Sequence, residues 1–225
     1  MVIAIDGPGG VGKSTVARGV ADALGVPYLD TGATYRAAAL AVLRAGVDPH
    51  DAAGALRVLE STTITYENRT IRLGGEDVGA EVRSPRVTAG SSTIAAIANV
   101  RAAVVALQRD WVADHGGRAV VEGRDIGTVV FPDAPVKAFL TARPEIRAAR
   151  RAGDRDAAGR ELNEIAADLE ARDHADSTRE ASPLQPAADA VIIDTSDLGI
   201  DAVIAAVLRL VASAEAERTP GLPPG

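Results

Sequence analysis

The sequence predicts an α/β fold: a mostly parallel sheet of five strands covered on both faces by helices, with a small antiparallel meander inserted. Three observations carry this expectation. Short apolar runs alternate with helical segments along most of the chain, the pattern of parallel strands joined by crossover helices. Residues 62–78, TTITYENRTIRLGGEDV, instead alternate polar and apolar residues around turn signals at Glu67-Asn68 and Gly74-Gly75, which predicts antiparallel strands. The 225 residues are 47% hydrophobic and 24% charged, an ordinary globular composition long enough for one enlarged domain.

Each element follows in order. Val2–Asp6 is a short buried strand, followed by a glycine-rich turn and a helix over about Lys13–Leu24 that ends at Gly25. Val26–Asp30 is a second strand, and a helix over about Ala33–Arg44 stops at Gly46. After the meander, one long helical stretch covers about Ser91–Asp114. Ala119–Val121, Val136–Leu140 and Ala190–Asp194 complete the strands. A last helix over about Ile200–Ala216 leads into Arg-Thr-Pro-Gly-Leu-Pro-Pro-Gly, a composition that predicts a disordered tail over 218–225. The expected organisation is one domain over 1–217 with an insert at about 60–90.

Composition excludes several classes of function. Zero cysteines remove disulfides, thiolate zinc sites and cysteine nucleophiles. The three histidines, His50, His115 and His174, are scattered and form no His-rich metal cluster. A net charge of −7 argues against a basic, nucleic-acid-coating surface. The start, MVIAIDGPGG, has no basic leader, and its apolar run is too short for an export signal. The most apolar late stretch, Ala202–Ala214, is interrupted by Arg209 and falls short of the roughly 20 residues a bilayer requires. The expectation is a cytoplasmic enzyme without nucleic-acid or membrane partners, and a monomer, since no long exposed apolar stripe asks for a partner.

Gly7-Pro8-Gly9-Gly10-Val11-Gly12-Lys13-Ser14, followed by Thr15, matches G-x-x-x-x-G-K-[ST] between a predicted strand and a predicted helix. Glycines let the backbone wrap phosphate oxygens with its N–H groups turned inward, and the helix start presents its positive dipole end. Lys13 is expected to reach the β- and γ-phosphates of ATP, and the Ser14 hydroxyl to ligate Mg²⁺. The other lysine of the chain, Lys137, lies in Val-Lys-Ala-Phe and not in the N-K-x-D motif that reads guanine. Ala119–Glu122 is only a partial version of the apolar run ending in two acids that motor ATPases carry. At this length a small-molecule kinase remains.

Beyond the loop, DTGATYR (30–36), GEDVGAEVR (75–83), EGRDIGTVVFPDAPVK (122–137), RDHADSTR (172–179) and SPLQPAADAVIIDT (182–195) carry a resemblance over nearly the whole chain. The sequence resembles the bacterial cytidylate kinases, nucleoside-monophosphate kinases of the P-loop class. The resemblance implies a P-loop three-layer sandwich and transfer of the γ-phosphoryl of ATP to CMP or dCMP with Mg²⁺. It places Thr31 near the acceptor ribose, Tyr35 along the acceptor site, and Arg36, Arg124 and Arg172 on the acceptor phosphate. Ser92, Arg101 and Asp125 fall to cytosine, and Asp176 and Arg179 to the ribose hydroxyls. Two positions depart from some relatives: Glu122 stands where they have Asp, and Thr31 where they have Ser.

Plainer readings stay open for these residues. Thr31 fits a helix N-cap with Tyr35 in the core, and Arg124–Asp125 fits a buried structural pair. Arg172, Asp176 and Arg179 fit an ordinary ion-pair ladder on one helix face. Ser92 and Arg101 lie nine residues apart, about 2.5 turns, so one straight helix sets them on different faces unless a loop intervenes. Arg143, Arg147, Arg150, Arg151, Arg155 and Arg160 fit either a solvated face, balanced by Asp154, Asp156 and Glu161, or a short lid over about 147–160. In the lid reading Arg147 and Arg151 stabilise the transferring phosphoryl. The rival functions are a kinase for UMP, AMP or a non-nucleotide acceptor, and a non-catalytic nucleotide-binding regulator.

Overall fold

A computed structural model describes residues 1–153, 159–179 and 182–218. The first half contains β1 (Val2–Asp6), α1 (Lys13–Leu24), β2 (Tyr28–Asp30), α2 (Thr31–Arg44), α3 (Ala52–Glu60), β3 (Ile64–Glu67), β4 (Thr70–Leu73), β5 (Glu76–Asp77) and α4 (Pro85–Ala95). The second half contains α5 (Ala98–Asp114), β6 (Ala119–Glu122), β7 (Val136–Thr141), α6 (Pro144–Ala152), α7 (Leu162–Thr178), β8 (Val191–Asp194) and α8 (Ile200–Arg218).

Five strands form one sheet in the order β2–β6–β1–β7–β8, with every neighbouring pair parallel. β1 lies at its centre, where Ile3, Ala4 and Ile5 are each 0% exposed. Successive side chains on a strand point to opposite faces, so burial of all three requires a layer on each side of the sheet. α1 packs against α8 and β6, while α2 packs against α3, α4 and α5. β3, β4 and β5 form the expected antiparallel meander. Its first turn sits at Asn68 and Arg69, one residue later than the sequence signal, and both have positive φ (48° and 64°), the backbone of a tight hairpin.

Several boundaries differ from the sequence reading, each for a local reason. β2 begins at Tyr28 because Val26 donates its N–H back to Ala21 O and closes α1. α2 begins at Thr31 because Asp30 supplies the cap, its carboxylate accepting the Ala33 N–H at 2.8 Å. α3 is an added helix capped by Asp51; it buries fully only Gly54 and Ala55, too little to leave an apolar period in the sequence. The long helix over 91–114 is two helices, α4 and α5, bent by 103° at the break. Ile97 caps α5 in an extended conformation, with no Gly or Pro there to announce the bend. α8 runs two residues beyond the expected end at Ala216. Residues 154–158 of the expected lid and 219–225 of the expected tail lie outside the described residues.

Parallel strands all end on the same edge, so Asp6, Asp30 and Glu122, the last residues of β1, β2 and β6, come together there. That carboxyl edge is where open α/β sheets bind ligands.

Candidate active site

The phosphate loop leaves β1 at Gly7, whose φ is +145°; a Cβ there would stand 2.2 Å from Leu140 O on the neighbouring β7. Only glycine lets the chain turn so close to that carbonyl. α1 starts at Lys13 with no side-chain cap, which leaves its first N–H groups open toward the loop, the arrangement that receives an anion. The Lys13 ammonium donates to Pro8 O at 2.7 Å, folded back across the loop. Burial and then the nearby Arg124 guanidinium push it well below the usual lysine range.

Glu122 is 3% exposed at the end of β6. The Tyr28 hydroxyl donates to its Oε1 at 2.5 Å, while its Oε2 has no partner among the described residues. The Ser14 hydroxyl neighbours this carboxylate, and burial followed by the charge of Asp30 raises its pKa. A serine hydroxyl beside an unpartnered carboxylate oxygen fits Mg²⁺, a hard cation held through one or two protein oxygens and substrate phosphates.

Asp6 is a second buried carboxylate, one the sequence reading passed over. It accepts the N–H groups of Ile126 and Gly127, both at 2.8 Å, and so holds the wide turn Ile126–Val130 that follows Asp125. Burial raises its pKa to about 6, against the pull of those two hydrogen bonds. A carboxyl whose folded pKa is raised favours the folded state fully below its unfolded value near 4 and loses that advantage as pH rises through about 6. Relative to Asp6→Asn, the natural protein is expected to lose about 2 kcal/mol of stability between pH 4 and pH 7. Chemical denaturation of both proteins at the two pH values checks this, and parallel pH profiles would remove the assignment.

Around the loop the arginines converge. Arg124 donates through Nε to Asp176 Oδ2 and through Nη1 to Gly7 O, each at 2.8 Å. Burial and then Arg124 lower the pKa of Arg172 to about 10, with Arg36 adding to the repulsion. Burial works against ionisation of Asp176, yet Arg124, Arg172 and Arg179 outweigh it and hold this carboxyl below its usual range. The first partner of Asp176 is therefore Arg124, not Arg172, and Arg179 stands 3.7 Å away just past the end of α7. These residues form a junction between elements, not the ladder on one helix face. Arg36 pairs with Asp30 at 3.1 Å.

A second group lies beside Tyr35. Arg101, 5% exposed, is buried and not on a solvated face, because the 103° bend turns the start of α5 inward. It pairs with Asp125, donates through Nε to Ser182 Oγ at 3.0 Å, and lies 5.6 Å over the Tyr35 ring. Arg179 Nε donates to Ser182 O at 2.5 Å in the same group. Ser92 is half-buried on α4 and stands outside this hydrogen-bonded set. Thr31 is no N-cap: its buried hydroxyl donates to Glu122 O at 2.6 Å.

The arginines of α6 divide by role. Arg143 pairs with Glu145 and Asp197, and Arg150 donates to Thr195, so both tie α6 to the loop after β8. Arg147 reaches the phosphate loop, donating through Nε to Gly9 O at 2.7 Å and pairing with Asp173. Arg151 lies half-buried in the last turn of α6. Arg160 pairs with Asp168 on the exposed surface, and Arg155 lies outside the described residues.

Seven buried side-chain polar atoms lack a hydrogen-bond partner among the described residues, and five belong to this site: Tyr35 Oη, Arg36 Nε, Glu122 Oε2, Arg172 Nε and Arg179 Nη2. A buried orphan polar atom costs about 1–3 kcal/mol. Concentrated among mutually repelling cations, the four donors among them mark a place for a ligand rich in anionic acceptors, while the Glu122 oxygen, an acceptor, suits a cation.

Comparison with known proteins agrees with this geometry. The cytidylate kinase family model matches residues 3–213. A protein of Mycobacterium leprae (strain Br4923) named cytidylate kinase is 51% identical over 213 residues, covering 94% of this chain and 95% of its own. One of Corynebacterium efficiens with the same name is 48% identical over 225 residues, covering 97% of each chain. Among solved structures, an uncharacterized protein from Eubacterium ventriosum ATCC 27560 shares the fold, with a TM-score of 0.52 at 12% identity over 95% of this chain and 98% of that one. With the family model spanning almost all of the chain, and relatives about half identical over nearly their full lengths, the chain belongs to the cytidylate kinase family.

Proposed function

We propose that the protein transfers the γ-phosphoryl group of ATP to CMP or dCMP, giving ADP and CDP or dCDP. The observation that carries this reading is the set of unpartnered donors on Arg36, Arg172 and Arg179 gathered beside an open phosphate loop. Lys13 and the backbone N–H groups along Gly7–Thr15, Pro8 having none, hold the triphosphate, and Arg36, Arg124 and Arg172 hold the acceptor phosphate in line with it. The acceptor oxygen is already anionic, so no general base is required. Arg147 and Arg151 stabilise the charge spread over the transferring group, with their guanidinium groups in place before reaction.

Ser14, with Glu122 behind it, would hold Mg²⁺. Bound there, the ion neutralises charge across the β- and γ-phosphates. Arg101, Asp125 and Ser92 read cytosine, Asp176 and Arg179 the ribose, and Tyr35 and Thr31 line the acceptor pocket. Residues 1–217 act as one kinase domain, working as a cytoplasmic monomer without nucleic-acid or membrane partners.

ADP release from Mg-ATP with CMP, dCMP, UMP, AMP or no acceptor, run in parallel, tests the reading. Strong turnover confined to CMP and dCMP is expected. A maximum with UMP or AMP removes the cytosine assignment and keeps the phosphoryl chemistry. ATP binding without turnover on any acceptor removes both.

A further inference from the structure

Asp173 is a carboxylate seated on a phosphate loop. Its Oδ1 accepts the Gly9 N–H at 3.1 Å, and its Oδ2 pairs with Arg147, which donates back to Gly9 O at 2.7 Å. The three groups close a ring in which the Arg147 and Asp173 side chains are only 13% and 16% exposed. α7 rests directly on the bare glycine, since a Cβ on Gly9 would stand 2.7 Å from Leu169 Cδ2. The N–H groups of Gly10, Val11 and Gly12 have no acceptor among the described residues. Gly9 is thus the glycine of this loop whose N–H is taken, and an anion takes it. A cavity of about 420 Å³ lined by Pro8, Pro144, Arg147, Leu169, Asp173 and His174 opens alongside and leaves these side chains room to move.

We propose that Asp173 is a positioning residue that stands in for phosphate, holding the Gly9 N–H and Arg147 until a triphosphate displaces it from both. The proposal rests on the reading of residues 7–14 as a triphosphate loop. Carboxylate and phosphate oxygens use the same donors, and a carboxylate within hydrogen-bonding distance of the loop repels an incoming polyphosphate. Arrival of the nucleotide therefore breaks the Asp173–Arg147 pair and frees the guanidinium for phosphate oxygens. Before arrival, the same pair keeps Arg147 neutralised and the lid helix α6 joined to α7. Asp173 thereby sets ATP affinity through Arg147.

Calorimetric titration of the full chain and of Asp173→Asn with ATP and with adenosine tests this. The variant is expected to bind ATP about fivefold more tightly, the scale of one like charge removed near the surface, and adenosine unchanged. Equal or weaker ATP binding by a folded variant overturns the proposal and leaves Asp173 as a strut. Failure of the natural protein to bind ATP at all removes the triphosphate-loop reading, and this proposal with it. A measurement on the natural protein decides the matter if the variant does not fold. Tripolyphosphate is expected to shift the Asp173 side-chain carboxyl ¹³C resonance and the Arg147 Nε–H resonance together, and adenosine neither. Resonances that stay fixed at saturating tripolyphosphate overturn it.

Discussion

Lys13→Met is expected to lower turnover with CMP by about 10²- to 10³-fold, the loss that follows removal of one preorganised donor from developing charge. The fold is expected to survive the change. Among the described residues the ammonium makes one hydrogen bond, to Pro8 O, and burial together with Arg124 disfavours its charged form. A methionine of similar length relieves that repulsion, so the melting temperature is expected to equal or exceed that of the natural protein. The two readouts move in opposite directions because the residue is placed against the interests of the empty protein. Arg124, Arg172 and Lys13 share one small volume and repel one another there. A triphosphate and an acceptor phosphate reverse the sign of that interaction. Steady-state assays and thermal melts of the two proteins check the pair of outcomes, and full turnover by the variant would falsify the assigned role of Lys13.

The parts of the site that were legible in the sequence are those whose residues are contiguous. The loop Gly7–Ser14 is read within one strand–turn–helix unit, and its context of β1 and α1 is as expected. The meander is legible for the same reason: Tyr66 pairs with Ile71 across a tight turn, so alternation and turn residues lie within one short segment. What stayed hidden depends on distant chain segments. Asp30 and Thr31 both suit a cap, and only the adjacent β6, with Glu122 O in reach of the Thr31 hydroxyl, decides between them. Ile94 and Val100, on either side of the bend between α4 and α5, are each 0% exposed, and no helix breaker marks the bend. Asp173 sits between two residues singled out by motif, yet its contact is with Gly9, 164 positions away. Spacing arguments see faces of one element. They do not see which element lies opposite.

Arg101→Met is expected to lower recognition and stability together. Arg101 and Asp125 are a buried pair, 5% and 4% exposed, and removing the guanidinium leaves the carboxylate without its partner. Such a loss costs about 3–5 kcal/mol, on the order of 10 °C in melting temperature for a chain of this size. Cytosine selectivity is expected to fall at the same time, so the single variant alone cannot say which effect came first. The double variant Arg101→Met, Asp125→Asn resolves them. It removes the unpaired charge, so most of the lost stability is expected to return. It restores neither the guanidinium nor the carboxylate, so discrimination between CMP and UMP is expected to stay lost. Melting temperatures and kcat/KM for both acceptors, measured on both variants, test the pair. If the double variant recovers stability and selectivity together, Arg101 and Asp125 serve the fold, and the cytosine assignment moves elsewhere in the pocket. If stability alone returns, the buried pair is retained for the base it reads, since an uncharged pair holds the same elements together.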